Sequence, residues 1–544
     1  MDGRWMVRAA GVIIAITEVS AVAHEGDASK AGLIGTVHFE TTCTAKAQSM
    51  FDGGMAALHN FYFGEAKRSF QAVLQTDPKC SIAYWALATN SLGNPLVSPP
   101  APKTIGDAQD LLSKAYENEP ESQRERDYRD ALSRLLTDAD KIDHRTRTLA
   151  YENAMRTIYE RYPQDMEAGV FYALALNITA LPTDKTYANQ LKAADILERI
   201  LDREPDHPGA LHYLIHSLDY PPLALRALPA AKRYAEVAPT APHALHMPSH
   251  TYSMLGEWEG SIQSNTVALA AVQDSFAKQL SSLTAINGST AHYNDFMIYA
   301  HLQLVQDKVA KEIVRQLLEY QLTHDLSKDP VYSQTGFAAP PARYVLERKA
   351  WTEAKGLEVQ MTTWTYAEAI TRFVRSLGAS HSGDFASAEA EIQTLQRLRD
   401  ATVASKQGYW EGQVEVLRLA ASAWLTQARG QTTEAIRLMR QAADLEDASE
   451  KHIAMENRLY PMRELLADLL LDAGHPGQAL AEYEASMVAT PNRFNAFSGA
   501  AKAALASGER EKAANYYSRL LSLAAKADTP RPGIREAQQF LARR

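Results

Sequence analysis

The feature that most constrains the fold is a set of anchor residues that recurs along the chain. Each copy has an alanine at offset 0, further packing residues at offsets 4 and 7, and a proline at offset 12. Between the copies, apolar residues recur every three or four positions and alternating β-branched runs are scarce, which predicts an all-α chain. The clearest copies are Ala66/Phe70/Val73/Pro78, Ala193/Leu197/Ile200/Pro205, Ala227/Ala231/Tyr234/Pro239 and Ala479/Tyr483/Ser486/Pro491.

These anchors resemble the second helix of a tetratricopeptide (TPR) repeat. Ala193 and Ala227 are 34 residues apart, and so are Ala479 and Ala513, which is the repeat length of that superfamily. The resemblance implies a TPR-like right-handed α/α superhelix, a solenoid of helix-turn-helix units with a concave inner wall. Small alanines let helices approach closely, and a proline ends each second helix.

Two further features divide the chain. Pro330, Pro340 and Pro341 predict a break between an N-terminal array over 24–328 and a C-terminal array over 343–544. Residues 1–23 have arginines, then an apolar run ending in Ala-Val-Ala, which predicts a signal peptide and a periplasmic or secreted protein. The alternative for this run is a buried N-terminal helix.

Cys43 and Cys80 are the two cysteines of the chain. After export they would meet an oxidising compartment, where a disulfide is the expected state. Two separate buried thiols are the alternative. The net charge of −9, without basic clusters, predicts no nucleic-acid partner, and no later segment is typical of a membrane span.

Histidines concentrate where the repeat pattern is clearest: eight of the 16 lie between His207 and His301. In the TPR superfamily the second, fifth, ninth, twelfth and thirteenth places of each first helix face the groove. First helices that begin at Pro208 and Pro242, and a third counted back from Ala310, put a polar set on those places. The set is His212, His216, His243, His246, His250, His292, Asp219, Tyr220, Asp295 and Tyr299.

The spacing of these histidines predicts a metal site in the groove. His212/His216 and His246/His250 are i, i+4 pairs, so each pair lies on one face of its helix, and two facing pairs can converge on one ion. Imidazole suits zinc, copper or iron. Pro248 removes an amide within the second pair, so we expect the helix to kink or start late there and re-aim one ring.

The remaining groove residues leave the chemistry open. Asp219, Asp295 and Tyr299 are candidates for further ligands, for partners that orient a ring, or for acid and base groups. With an open coordination position, a metal-bound water would serve hydrolase or lyase chemistry. The alternative is a metal-free scaffold whose groove binds a peptide or protein partner. In either case we expect a small molecule or a peptide in the concave groove.

At the level of "HYLIHSLDYPPLA" followed by "APHALHMPSH", the chain also resembles a subgroup of exported bacterial TPR proteins with no established activity. That resemblance supports the expected export and fold and implies no reaction.

Overall fold

The computed structural model describes residues 33–97, 99–118, 122–277, 290–329, 331–360, 362–405, 407–453 and 455–543. Over these ranges the chain is helical, with one short 3-10 helix and no strand, so the all-α prediction is confirmed. No helix in the same ranges is long and apolar enough to cross a membrane. The predicted signal peptide, 1–23, lies outside the described residues.

The helices pair as hairpins, each with a first and a second helix. The first helices are α1 (Ala45–His59), α3 (Ile82–Ser91), α5 (Gln123–Leu136), α7 (Met166–Thr179), α9 (Pro208–Ser217), α11 (Pro242–His246) with α12 (Pro248–Leu255), α14 (Ala291–Gln303), α16 (Val331–Glu347), α18 (Thr365–His381), α20 (Gly408–Ala428), α22 (Met462–Asp472) and α24 (Phe494–Ala506). The second helices are α2 (Phe63–Thr76), α4 (Pro102–Glu117), α6 (His144–Arg161), α8 (Ala188–Leu201), α10 (Ala224–Val237), α13 (Trp258–Ala277), α15 (Asp307–Thr323), α17 (Trp351–Lys355), α19 (Phe385–Ala404), α21 (Thr432–Asp447), α23 (Pro476–Ala489) and α25 (Arg510–Leu523), and α26 (Pro532–Ala542) packs on α25.

The hairpins stack because the first helices also contact one another in chain order. α7 contacts α9, α9 contacts α12, α12 contacts α14, and α14 contacts α16. The anchors of the second helices are buried, as the repeat pattern predicts: Ala66, Phe70 and Val73 of α2 are fully buried. The chain is therefore a TPR-like α/α solenoid.

Two of the prolines at the expected break between the two arrays do not end a helix. Residues 331–347 form one continuous helix, α16, with Pro340 and Pro341 inside it. Pro341 has no N–H to donate to the carbonyl of Phe337, and the side-chain amide of Gln321 donates to that carbonyl instead, at 3.4 Å. Gly336 lets α16 approach α14 closely, because a Cβ there would lie 3.1 Å from the backbone nitrogen of His292. The division at 328/343 stays a prediction.

Cys43 and Cys80 form a disulfide that joins the segment before α1 to the segment before α3. It lies at the N-terminal end of the stack.

A long connection between α21 and α22, described over residues 448–453 and 455–461, packs against the repeats that carry the histidines. We call it the cover segment. The backbone N–H of Glu450 donates to the carbonyl of Pro182 at 2.8 Å, and the Arg343 guanidinium holds three carbonyls of the segment at 2.7 to 3.1 Å. The cover segment thus closes the inner wall beside the histidines.

Candidate metal centre

Three consecutive first helices carry the groove histidines, and they begin where the repeat register predicts. α9 begins at Pro208 and α11 at Pro242, where a proline is tolerated because the first amides of a helix have no partner within it. α14 begins at Ala291, one residue before His292. The six predicted histidines therefore face one another across neighbouring helices.

The predicted interruption at Pro248 is confirmed. α11 ends at His246 and α12 begins at Pro248, and the backbone N–H of His250 donates to the carbonyl of Met247 at 3.1 Å. The Ser264 hydroxyl donates to two carbonyls of α11, those of Leu245 at 2.6 Å and His246 at 3.3 Å. The break places Nε2 of His246 3.1 Å from Nε2 of His250.

The structure divides the histidines into two sets, where the sequence analysis expected His212, His216, His246 and His250 to converge on one ion. The first, which we call the His216 set, is His212, His216 and His243. The second, which we call the His292 set, is His246, His250 and His292. Within each set the ligand nitrogens lie within 4.8 Å of one another. The division arises because α11 and α12 lie between α9 and α14. His243 of α11 faces the histidines of α9, whereas His246 and His250 face His292 of α14.

The hydrogen bonds at His246 and His250 determine which ring nitrogens carry protons. Asn265 donates its amide to the carbonyl of Ser261, so its Oδ1 faces Nδ1 of His246, 2.6 Å away. A carboxylate oxygen of Asp219 lies 2.9 Å from Nδ1 of His250. Both partners are acceptors, so both Nδ1 atoms are protonated, and in neutral rings both Nε2 atoms carry lone pairs. The 3.1 Å contact between His246 and His250 then brings two lone pairs together.

Burial keeps these rings neutral. Loss of solvent lowers the pKa of His246 and His292 well below the ordinary value, and it lowers the pKa of His250 although Asp219 opposes the shift. In the His216 set, burial lowers the pKa of His243 to about 3. Neutral imidazoles are the form that binds metal ions.

Asp219 links the His292 set to the cover segment. The same carboxylate oxygen that accepts from His250 also accepts from Lys451 at 2.7 Å. Both side chains of the Asp219–Lys451 ion pair are buried. Burial raises the pKa of Asp219, but Lys451 and His250 outweigh it, and the pKa is lowered overall. Asp219 therefore stays ionised and orients the ring of His250.

The other two candidate acid and base residues are held by arginines. Asp295 accepts from Nε of Arg343 at 3.0 Å, and burial raises its pKa against the effect of Arg343. The hydroxyl of Tyr299 accepts from Arg493. Tyr299 is thereby fixed in an ion network with its hydroxyl directed to Arg493. Asp295 lines a small cavity together with His292.

Glu456 of the cover segment was not identified from the sequence. It lines the same small cavity as His292, and its carboxylate is 3.4 Å from Arg343. Burial raises its pKa to about 8 although Arg343 opposes the shift. The small cavity shares Thr335 and Met455 with a cavity of about 1120 Å³. A large pocket thus adjoins the partly exposed end of the His292 set.

The large cavity lies between residues of the range 63–178 and residues of the range 329–455. Its wall combines the loop after α3 with residues that precede and begin α18 and α20. Trp364 and Trp410 contribute rings whose centroids are 5.1 Å apart in an edge-to-face arrangement, and Tyr409 lies beside them. Such a wall suits a ligand with an apolar or planar part.

A third buried group, which the sequence analysis missed, is His59, Glu167 and His207. Both histidines lie within hydrogen-bond distance of the Glu167 carboxylate, at 2.9 and 2.7 Å. The Tyr213 hydroxyl, 3.1 Å from His59, and the amide of Ala210, 3.2 Å from His207, face the opposite nitrogens. Every ring nitrogen of this group has a hydrogen-bond partner, so we interpret the group as a structural hydrogen-bond network. Its sequence signal is a glutamate within the apolar helix α7.

Comparisons with known proteins complete the description. No protein-family model matches the chain, and no curated protein matches it. Among solved structures, the chain is similar to the human IFIT1 dimer with m7Gppp-AAAA, with 13% identity, TM-score 0.34, and coverage of 82% of this chain and 90% of that chain. It is also similar to the APC/C hetero-tetramer Cut9-Hcn1, at 12% identity and TM-score 0.29, and to yeast Tom70, at 12% identity and TM-score 0.28; each match covers 92% of this chain and 96% of that chain. These scores are too low to carry an argument about function.

Proposed function

We propose that this chain is an exported solenoid that binds a transition-metal ion at His246, His250 and His292. The observation that carries the proposal is the 3.1 Å contact between the two Nε2 lone pairs of His246 and His250. Two neutral rings in this arrangement repel each other unless a cation lies between them. Two imidazoles bound tetrahedrally at about 2.0–2.1 Å from zinc have nitrogens roughly 3.3 Å apart, so only a small adjustment would be required.

The chemistry of the donors narrows the metal. Three imidazoles suit zinc, copper or iron, whereas calcium and magnesium require oxygen ligands. The Asp219 carboxylate behind His250 provides the outer hydrogen bond that commonly fixes a ligating histidine and raises its basicity. Asn265 does the same for His246.

The position of the His292 set supports chemistry at the ion. Three protein ligands leave a coordination position for water or substrate, and a metal-bound water is a strong nucleophile near neutral pH. His292 is partly exposed and lies at the small cavity that adjoins the large one. We therefore propose a metal-dependent hydrolase or lyase whose substrate enters from the large cavity.

Export is part of the same proposal. The predicted leader 1–23 motivates it, and the disulfide between Cys43 and Cys80 supports it, because such bonds persist in oxidising compartments.

The aromatic wall favours a second candidate function, a scaffold that binds a peptide or small molecule without metal. Because the cover segment occupies the inner wall beside the histidines, the partner would lie in the large cavity, against Trp364, Tyr409 and Trp410. A peptide library screened in the presence of chelator tests this candidate. Binding that is retained in chelator and lost in Trp410→Ala would favour the scaffold over the metal enzyme.

Zinc titration of chelator-treated protein tests the metal proposal. We expect His250→Ala and His292→Ala to lose much more than the roughly 10–100-fold in affinity that removal of an outer hydrogen-bond partner costs. His301→Ala is the matched control, because His301 lies on α14 with His292 but its Nδ1 is 2.6 Å from Gln306. Equal zinc affinity in all three variants and the parent protein would refute the proposal.

A further inference from the structure

We infer that His212, His216 and His243 bind a second metal ion, so that the six histidines form one dinuclear centre. This inference rests on the proposed function, since it adds a second ion beside the first. The arrangement of the His216 set, the spacing between the two sets and the charge of their surroundings each support it.

His216 gives the clearest indication that the His216 set binds an ion. Its side chain is buried, and neither ring nitrogen has a hydrogen-bond partner among the described residues. A buried imidazole needs a partner for its N–H and another for its lone pair, and leaving such groups unpaired destabilises the folded protein. A metal ion at one nitrogen would satisfy the lone pair.

His212 is oriented toward the same point. Its Nδ1 donates to the carbonyl of His59 at 2.6 Å, so in the neutral ring its Nε2 carries a lone pair. That Nε2 lies 3.0 Å from Nε2 of His243, the partly exposed member of the set. Each set therefore has two buried rings and one ring at the edge.

The two sets are neighbours on the scale of a single centre. Ring centroids are 4.8 to 6.3 Å apart within the sets. Between the sets, the rings of His216 and His250 are 5.6 Å apart and those of His243 and His246 are 5.9 Å apart. Since the separations between the sets fall within the range of 4.8 to 6.3 Å found inside the two sets taken together, two bound ions would lie close enough to share a ligand.

The charge of the surroundings indicates what that shared ligand is. Imidazole ligands bring no charge to a metal ion, and Asp219, the one carboxylate bonded to these rings among the described residues, is balanced by Lys451. Asp295 and Glu456, at the small cavity beside His292, face Arg343. Two divalent ions would thus be left without anionic compensation from the chain. Two ions held there would favour an anionic oxygen donor as their shared ligand, which an anionic substrate would supply.

Copper loading with metal analysis and electron paramagnetic resonance tests the inference. We expect two Cu²⁺ per chain in the parent protein and in His301→Ala, with a spectrum altered by magnetic coupling between neighbouring ions. His216→Ala should retain one Cu²⁺ whose spectrum is that of an isolated ion. His243→Ala, which changes a partly exposed ring, gives the same test should His216→Ala fail to fold.

The other outcomes show whether the second ion, or also the proposed metal site at His292, is wrong. Two ions with isolated spectra would overturn the dinuclear centre. One ion in the parent protein that is lost in His292→Ala would overturn the inference and leave the proposed function standing. One ion that is lost in His216→Ala and kept in His292→Ala, or no bound copper at all, would overturn both.

Discussion

Replacing Asp219 with asparagine tests how much the orientation of the His250 ring contributes to metal binding, because the ring itself is unchanged. Asparagine retains the shape of the side chain but removes the negative charge of the carboxylate, whose oxygen accepts from both His250 and Lys451. A missing outer carboxylate typically weakens metal binding by about 10–100-fold, which corresponds to roughly 1.4–2.7 kcal/mol. We expect the zinc dissociation constant of Asp219→Asn to rise by that factor.

The same substitution leaves Lys451 as a buried cation without its carboxylate. Breaking a buried ion pair in this way costs on the order of 3–5 kcal/mol of folding stability. Lys451 also lowers the pKa of His250, so its charge opposes a second cation there. Lys451→Met should therefore strengthen zinc binding, and the double variant Asp219→Asn/Lys451→Met should recover most of the lost stability.

Chelator competition gives the dissociation constants, and thermal melts of the metal-free proteins give the stabilities. A folded Asp219→Asn variant that binds zinc as tightly as the parent protein would refute the argument that this carboxylate orients a ligand. A double variant no more stable than Asp219→Asn would refute the argument from the unpaired lysine.

Three further predictions concern stability. Burial raises the pKa of Glu456 from 4.5 to about 8, so the native carboxyl keeps a proton that the unfolded chain loses. The folding stability should therefore fall as the pH rises through this window, by at most about 5 kcal/mol. Glu456→Gln should remove that fall, as thermal melts at pH 5 and pH 8 would show. Gly336→Ala would press a methyl group on the backbone of α14, and denaturant titration should show a loss of about 1–3 kcal/mol. Reducing the bond between Cys43 and Cys80, 37 residues apart, should cost on the order of 3–4 kcal/mol; an unchanged melting temperature would contradict this.

The repeat pattern predicted the elements that carry the site. The repeat register placed the starts of two first helices at Pro208 and Pro242, and with a third helix counted back from Ala310 it turned six histidines toward one another. These are local properties, since helix periodicity and proline chemistry depend on residues a few positions apart. The interruption at Pro248 follows from the same chemistry.

The division into two sets depends on information that the repeat register lacks. The register gives the face of each helix but not the rotation of neighbouring helices, which decides that His243 turns to His212 while His246 turns to His292. The cover segment was also missed. Its Lys451 reaches Asp219 across 232 residues of sequence, and no local pattern marks such a contact.

The most direct test of the central claim is anomalous X-ray diffraction from crystals of the mature protein grown with zinc, with data collected on both sides of the zinc edge. We expect an anomalous peak about 2.0–2.1 Å from Nε2 of His246 and His250 and from a ring nitrogen of His292. A fully folded protein with no anomalous peak at these rings would contradict the proposed metal site.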